Sequence, residues 1–178
     1  TTPLPYGPDL VVEQILATKS NVQVVIRNQG TAPVMQGFWV QVYIAPVPAP
    51  TMVNQLWFDL GPEGLVWGVV EPALPLMPGE RLTLTYNDAY YWPENSRFSK
   101  SLVPGTPVYA QVDSYNGGTT YGAVLETHEQ WSLPYNNILG PVYVTANGTI
   151  SDSGVVSPAN ALPTDSVIYQ LPSFPRYQ

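Results

Sequence analysis

Apolar and polar residues alternate over short runs along most of this chain. Val22, Val24 and Ile26 alternate with Gln23, Val25 and Arg27. Phe38, Val40, Val42 and Ile44 would share one face, with Trp39, Gln41 and Tyr43 on the other. Leu82, Leu84 and Tyr86 alternate with Arg81, Thr83 and Thr85. A period of two is that of a strand, whose side chains point to opposite faces in turn. The pattern predicts strands over residues 10–16, 22–27, 38–44, 81–86, 108–112, 121–125 and 138–145, with short apolar stretches at 56–60 and 65–70. Turn signals separate them at Asn28-Gln29-Gly30, Gly61-Pro62-Glu63-Gly64 and Pro78-Gly79. No stretch holds a 3.6-residue period between caps. Short strands punctuated in this way predict an all-β antiparallel sandwich rather than a parallel sheet.

Between the strands lie segments of another kind. Residues 1–8 are a Pro/Gly arm, residues 45–55 a Pro-rich extended loop, and residues 88–98 an aromatic loop. Residues 146–178 are rich in Ser, Thr, Asn and Pro. They carry few apolar residues before Val167, Ile168, Tyr169 and Leu171. The expected organisation is therefore an arm (1–8), a sandwich (9–145) and an extended tail (146–178). The tail reads either as a linker or, at 166–171, as one extra strand in search of a partner.

Composition supports this picture and removes several function classes. Charged residues are 11% of the chain, against roughly 25% in an average soluble domain. Exposed helix faces usually draw on that supply. The 20 prolines are excluded from helix interiors. With a net charge of -7 and six scattered basic residues, the chain is not equipped to neutralise a phosphate backbone, so no nucleic-acid partner is expected. No apolar run approaches the roughly 20 residues of a membrane helix, so no membrane span is expected either. The sequence opens on Thr1 without a basic and apolar leader, as a mature secreted protein would. There is no cysteine to form a disulfide or a thiolate site.

Several motifs, taken in order, resemble a known family. Pro8-Asp9-Leu10-Val11-Val12 is followed by Val25 to Arg27 and Asn28-Gln29-Gly30-Thr31-Ala32-Pro33. Then come Leu76-Met77-Pro78-Gly79-Glu80, Val112-Asp113, Glu126 with Glu129, and Asn136-Asn137. Over residues 8 to 145 this order resembles CARDB, the cell-adhesion-related domain found in bacteria. Residues 45–75 are longer and more aromatic than that pattern, and Gln130 to Tyr135 separate Glu129 from Asn136. The resemblance implies an immunoglobulin-like sandwich in a secreted or cell-surface protein, with no catalytic residues to carry over.

Little in the sequence argues for catalysis. His128 is the single histidine, with no nucleophile turn to serve it, and reads as a loop or edge residue. Glu126 and Glu129 could run glycoside hydrolysis only within a cleft, for which nothing argues. Asp113, Glu126, Glu129, Asn136 and Asn137 offer hard oxygens of the type calcium takes. The structural alternative is that these side chains pin turns by bonding backbone amides. Tyr90, Tyr91 and Trp92 form the best candidate ligand contact, a glycan platform, ranked behind ordinary aromatic packing. Asn147-Gly148-Thr149 is a glycosylation sequon.

Two function classes remain. In the first, Val167, Ile168, Tyr169 and Leu171 complete a sheet edge of another copy, making a self-associating extracellular homopolymer. In the second, the chain is an adhesion or carbohydrate-binding module that meets a cell-surface glycan or protein.

Overall fold

The protein is described by a computed structural model for residues 5–146 and 171–177. Asn147, Val167, Ile168 and Tyr169 lie outside the described residues. Seven strands run in the order β1 (Leu10–Ala17), β2 (Val22–Asn28), β3 (Phe38–Ile44), β4 (Glu63–Val69), β5 (Arg81–Thr85), β6 (Pro107–Val112) and β7 (Ile138–Tyr143). Among the described residues two short α-helices interrupt them, α1 (Trp57–Leu60) and α2 (Thr127–Gln130), with a 3-10 turn at Pro93–Asn95. β1, β2 and β5 form one antiparallel sheet; β4, β3, β6 and β7 form the other. Three strands packed on four with this connectivity make an immunoglobulin-like β-sandwich. Among the described residues, no helix is long and apolar enough to cross a membrane.

The core between the sheets follows the alternation in the sequence. Val24 and Ile26 of β2 meet Phe38, Val40, Val42 and Ile44 of β3, with Leu65, Trp67 and Val69 of β4 and Val108, Ala110 and Val112 of β6. β1 departs from strict alternation. Leu10 and Val12 point inward, and so do Ile15 and Ala17. A bulge between Val12 and Gln14 shifts the register and reverses the parity. The extra residue keeps both apolar pairs in the core and leaves Glu13 outside. There Glu13 Oε2 meets Arg81 Nε at 2.6 Å and its Oε1 meets Arg27 at 3.4 Å.

The predicted strand over 121–125 is absent, and the side chains around it explain why. The Asp113 carboxylate accepts the amides of Ala123 at 2.8 Å and Val124 at 2.9 Å. Asn116 and Thr119 donate to the Gly122 carbonyl. Gly122 has φ +97°, and a Cβ on it would lie 2.5 Å from Asp113 Oδ2. Side chains thus satisfy the backbone groups that a neighbouring strand would otherwise take up. The apolar stretch at 56–60 is likewise a helical turn, α1, and not a strand.

Candidate functional site

The two outer faces of the sandwich differ. The outer face of the four-stranded sheet is covered over β3, which is buried on both sides. Gln41 donates to the Gln55 carbonyl at 2.9 Å and Ser114 Oγ at 3.0 Å, and its own carbonyl takes the Trp57 amide at 2.9 Å. Tyr43 donates to Gln111 Oε1 at 2.6 Å, and Gln111 donates to the Met52 carbonyl at 2.8 Å. These buried amides hold the Pro-rich loop over the sheet. β4 makes room for the aromatic cover with glycines at its outward positions. A Cβ on Gly64 would run into the Trp57 ring, and one on Gly68 would lie 2.6 Å from Trp92 Nε1 and 2.7 Å from Leu171.

The last described residues lie in the remaining trench. Leu171, Phe174 and Tyr177 pack with Trp39, Tyr43, Trp57, Val66 and Trp92. The Phe174 ring lies 5.1 Å from Trp39, and Tyr177 lies 4.9 Å from Trp57. Two hydrogen bonds fix the register: Trp39 Nε1 donates to the Pro172 carbonyl at 2.7 Å, and Arg97 donates to Tyr177 Oη at 2.8 Å. Leu171 therefore sits on a sheet face, and residues 172–177 are not a strand. The β4 edge is occupied by another segment. Gly64 and Arg97 exchange amide bonds at 2.9 and 3.0 Å, Gly68 donates to Tyr90 O, and Trp92 donates to Val66 O. Of the three candidate glycan contacts, Tyr90 is buried in the inter-sheet core and Tyr91 packs against Trp67 and Tyr86. A three-residue platform is thereby excluded. Trp92 alone reaches the trench, edge-on to Trp39 at 5.2 Å.

A second concentration of chemistry lies at one pole, where β1 starts, β6 ends and β7 begins. Glu126, fully buried, accepts the Leu10 amide on Oε2 at 2.6 Å and Asn137 Nδ2 on Oε1 at 2.6 Å. Asn136 donates to Asp9 Oδ1 at 2.9 Å. Glu129 Oε2 takes the Glu126 amide at 2.7 Å, one half of a capping box at the start of α2. His128 is buried, with Nε2 2.7 Å from Glu129 Oε1 and Nδ1 3.8 Å from Glu126 Oε2. Neither ring nitrogen has a well-aligned hydrogen bond, and Asn136 Oδ1 and Asn137 Oδ1 have no partner. Burial pushes the Asp113 carboxyl up to about 7 against the two amides it accepts, with Glu129 adding to the rise. Burial also holds Glu126 well above the usual carboxylate range, helped by the nearby Asp113 charge.

The five predicted oxygen donors therefore share one pole but divide in role. Asp113 spends both oxygens on the turn at Ala123 and Val124, which is the structural alternative. Glu126, Glu129, Asn136 and Asn137 surround His128 and Asp9, the first expected at a loop or edge and the second at the start of a strand. The available signal was the run Glu126-Thr127-His128-Glu129, in which the single histidine is flanked by carboxylates. Asp9 lies far away in sequence, and only the pairing of β1 beside the β6–β7 loop brings it in.

No protein-family model and no curated protein matches the chain. Among solved structures, the chain is similar to the CARDB domain of the PF1109 protein from Pyrococcus furiosus, a crystal structure in complex with di-metal ions. Identity is 23%, the match covers 82% of this chain and 100% of that one, and the TM-score is 0.43. CARDB is the family that the sequence motifs resemble.

Proposed function

We propose that this chain is a non-enzymatic structural module of an extracellular surface, joined to copies of itself by its C-terminal segment. The observation that carries the reading is the seating of Leu171, Phe174 and Tyr177 in the aromatic trench of the four-stranded sheet. The segment is bound as a ligand would be, by three apolar anchors and two hydrogen bonds. Residues 147–170 connect it to the sandwich, a length of chain that spans at most about 80 Å when extended. A connection of that reach lets the same segment fill the trench of a neighbour, and head-to-tail exchange that does not close gives a filament or layer. The motifs that resemble CARDB modules support the surface assignment.

Sedimentation and electron microscopy of the full chain test this over concentrations up to the millimolar range. Concentration-dependent oligomers are expected from the full chain, and only monomers from a chain ending at residue 146. A full chain that stays monomeric throughout would overturn the proposal. The second reading, a carbohydrate-binding module, draws on the shallow pocket beside the segment lined by Trp39, Trp92, Glu94, Asn95 and Arg176. Selective capture of the monomer on a glycan array, lost in Trp92→Ala, would favour it.

A further inference from the structure

Glu126, Glu129, His128 and Asp9 cluster with no lysine or arginine paired to them among the described residues. A buried carboxylate needs a compensating cation or must take up a proton. One ligand atom from each of Asp9, Glu126 and His128 lies within 4.8 Å of the other two. His128 is 5% exposed, and its unpartnered Nδ1 faces Glu126 Oε2 at 3.8 Å. Two ligands at 2.0–2.1 Å from a tetrahedral zinc ion stand roughly 3.4 Å apart, so a small inward movement closes the site.

We propose that Asp9, Glu126 and His128 bind a divalent transition metal of the zinc class. One imidazole nitrogen with two carboxylates favours such an ion over calcium, which takes oxygens alone. The outer partners are already present. Glu129 stands behind the ring at Nε2, as a carboxylate stands behind a metal-bound histidine, leaving Nδ1 for the ion. Asn136 and Asn137 donate to Asp9 and Glu126 and hold those carboxylates in place. Their free Oδ1 atoms are further acceptors at the same pole. Asp9 is half-buried and gives the ion a way in from solvent. The bound metal would clip the start of β1 to α2, closing a loop that takes in nearly the whole sandwich.

The test uses the full chain without an affinity tag, stripped with a chelator. Calorimetry with Zn2+, Mn2+ and Ca2+ should show one saturable Zn2+ site per chain, with Ca2+ far weaker, and Zn2+ should raise the melting temperature. Glu129→Gln should weaken Zn2+ binding by about tenfold or more, and His128→Gln should abolish it. Because His128 is the single histidine, the spin-echo spectrum of Cu2+ bound to the unaltered chain should show one imidazole nitrogen. That readout holds even if a variant fails to fold. No saturable Zn2+ binding, a copper spectrum without imidazole, or preference for Ca2+ over Zn2+ would each overturn the proposal.

Discussion

At the scale of single residues, buried polar side chains do much of the work that fixes the loops. Asn28, fully buried, donates to the Ala32 and Leu76 carbonyls at 2.8 and 3.0 Å and accepts the amides of Asp9 and Gly30. Asn28→Ala leaves these four backbone groups short of a partner, and chemical denaturation should report a loss of about 3 kcal/mol. Asp113 predicts a dependence on pH. Its carboxyl is held near 7 by burial, against about 3.9 in an unfolded chain. The folded state therefore binds the proton more tightly, and that stabilisation is full at low pH and lost as pH rises through 7. The groups facing it are Glu126, Glu129 and His128. In chelator, the chain should be more stable at pH 5 than at pH 8 by about 3 kcal/mol from this group. Asp113→Asn should reduce the slope, leaving the part that the likewise raised Glu126 carboxyl contributes, and a stability that rises from pH 5 to pH 8 would contradict the assignment.

At the scale of elements, β4 shows how one strand serves two layers. Leu65, Trp67 and Val69 face the core, while Gly64, Val66 and Gly68 leave space for aromatic rings laid on the outside. Gly68→Leu puts a side chain where Trp92 and Leu171 lie. Overpacking of this kind costs roughly 1–3 kcal/mol, more than a short docked segment is expected to spare. Trypsin should then cut after Arg176 about tenfold faster, while the sandwich still melts cooperatively. An unchanged rate would mean that the segment is not held by the trench. Most strands could be read from the sequence, because a half-buried strand writes its period of two directly, and β3 even shows both faces correctly. The strand expected over 121–125 failed because Asp113, Asn116 and Thr119 take its backbone bonds. At the polar pole, Glu126, Glu129, Asn136 and Asn137 are legible as a group of oxygen donors with Asp113, but Asp9 and His128 are not read with them. His128 stands between Glu126 and Glu129 in the sequence itself, whereas Asp9 joins them only through a contact between distant segments, which no local pattern encodes.

At the scale of the whole molecule, the sandwich has one polar outer face, where Glu13 meets Arg27 and Arg81, and one apolar outer face that its own C-terminal segment covers. Such a face left bare invites association. For an ideal coil of as many residues as separate 146 from 171, the average span is roughly 28 Å, which corresponds to an effective concentration on the order of millimolar. Docking within one chain must therefore reflect an intrinsic affinity tighter than about 1 mM. On the proposed exchange, the same number would set its onset: dilute protein would keep its own segment, and chains crowded to millimolar local concentration would trade segments. A chain ending at residue 146, checked for cooperative melting, should bind a peptide of residues 167–178 with a dissociation constant below about 1 mM. The change in tryptophan fluorescence from Trp39 and Trp92 would report the binding. The full chain should bind none until the peptide exceeds the effective concentration of its own segment, and a truncated Gly68→Leu chain should bind none at all. If the truncated chain ignores the peptide, the trench does not recognise the segment between molecules, and assembly must run through another surface.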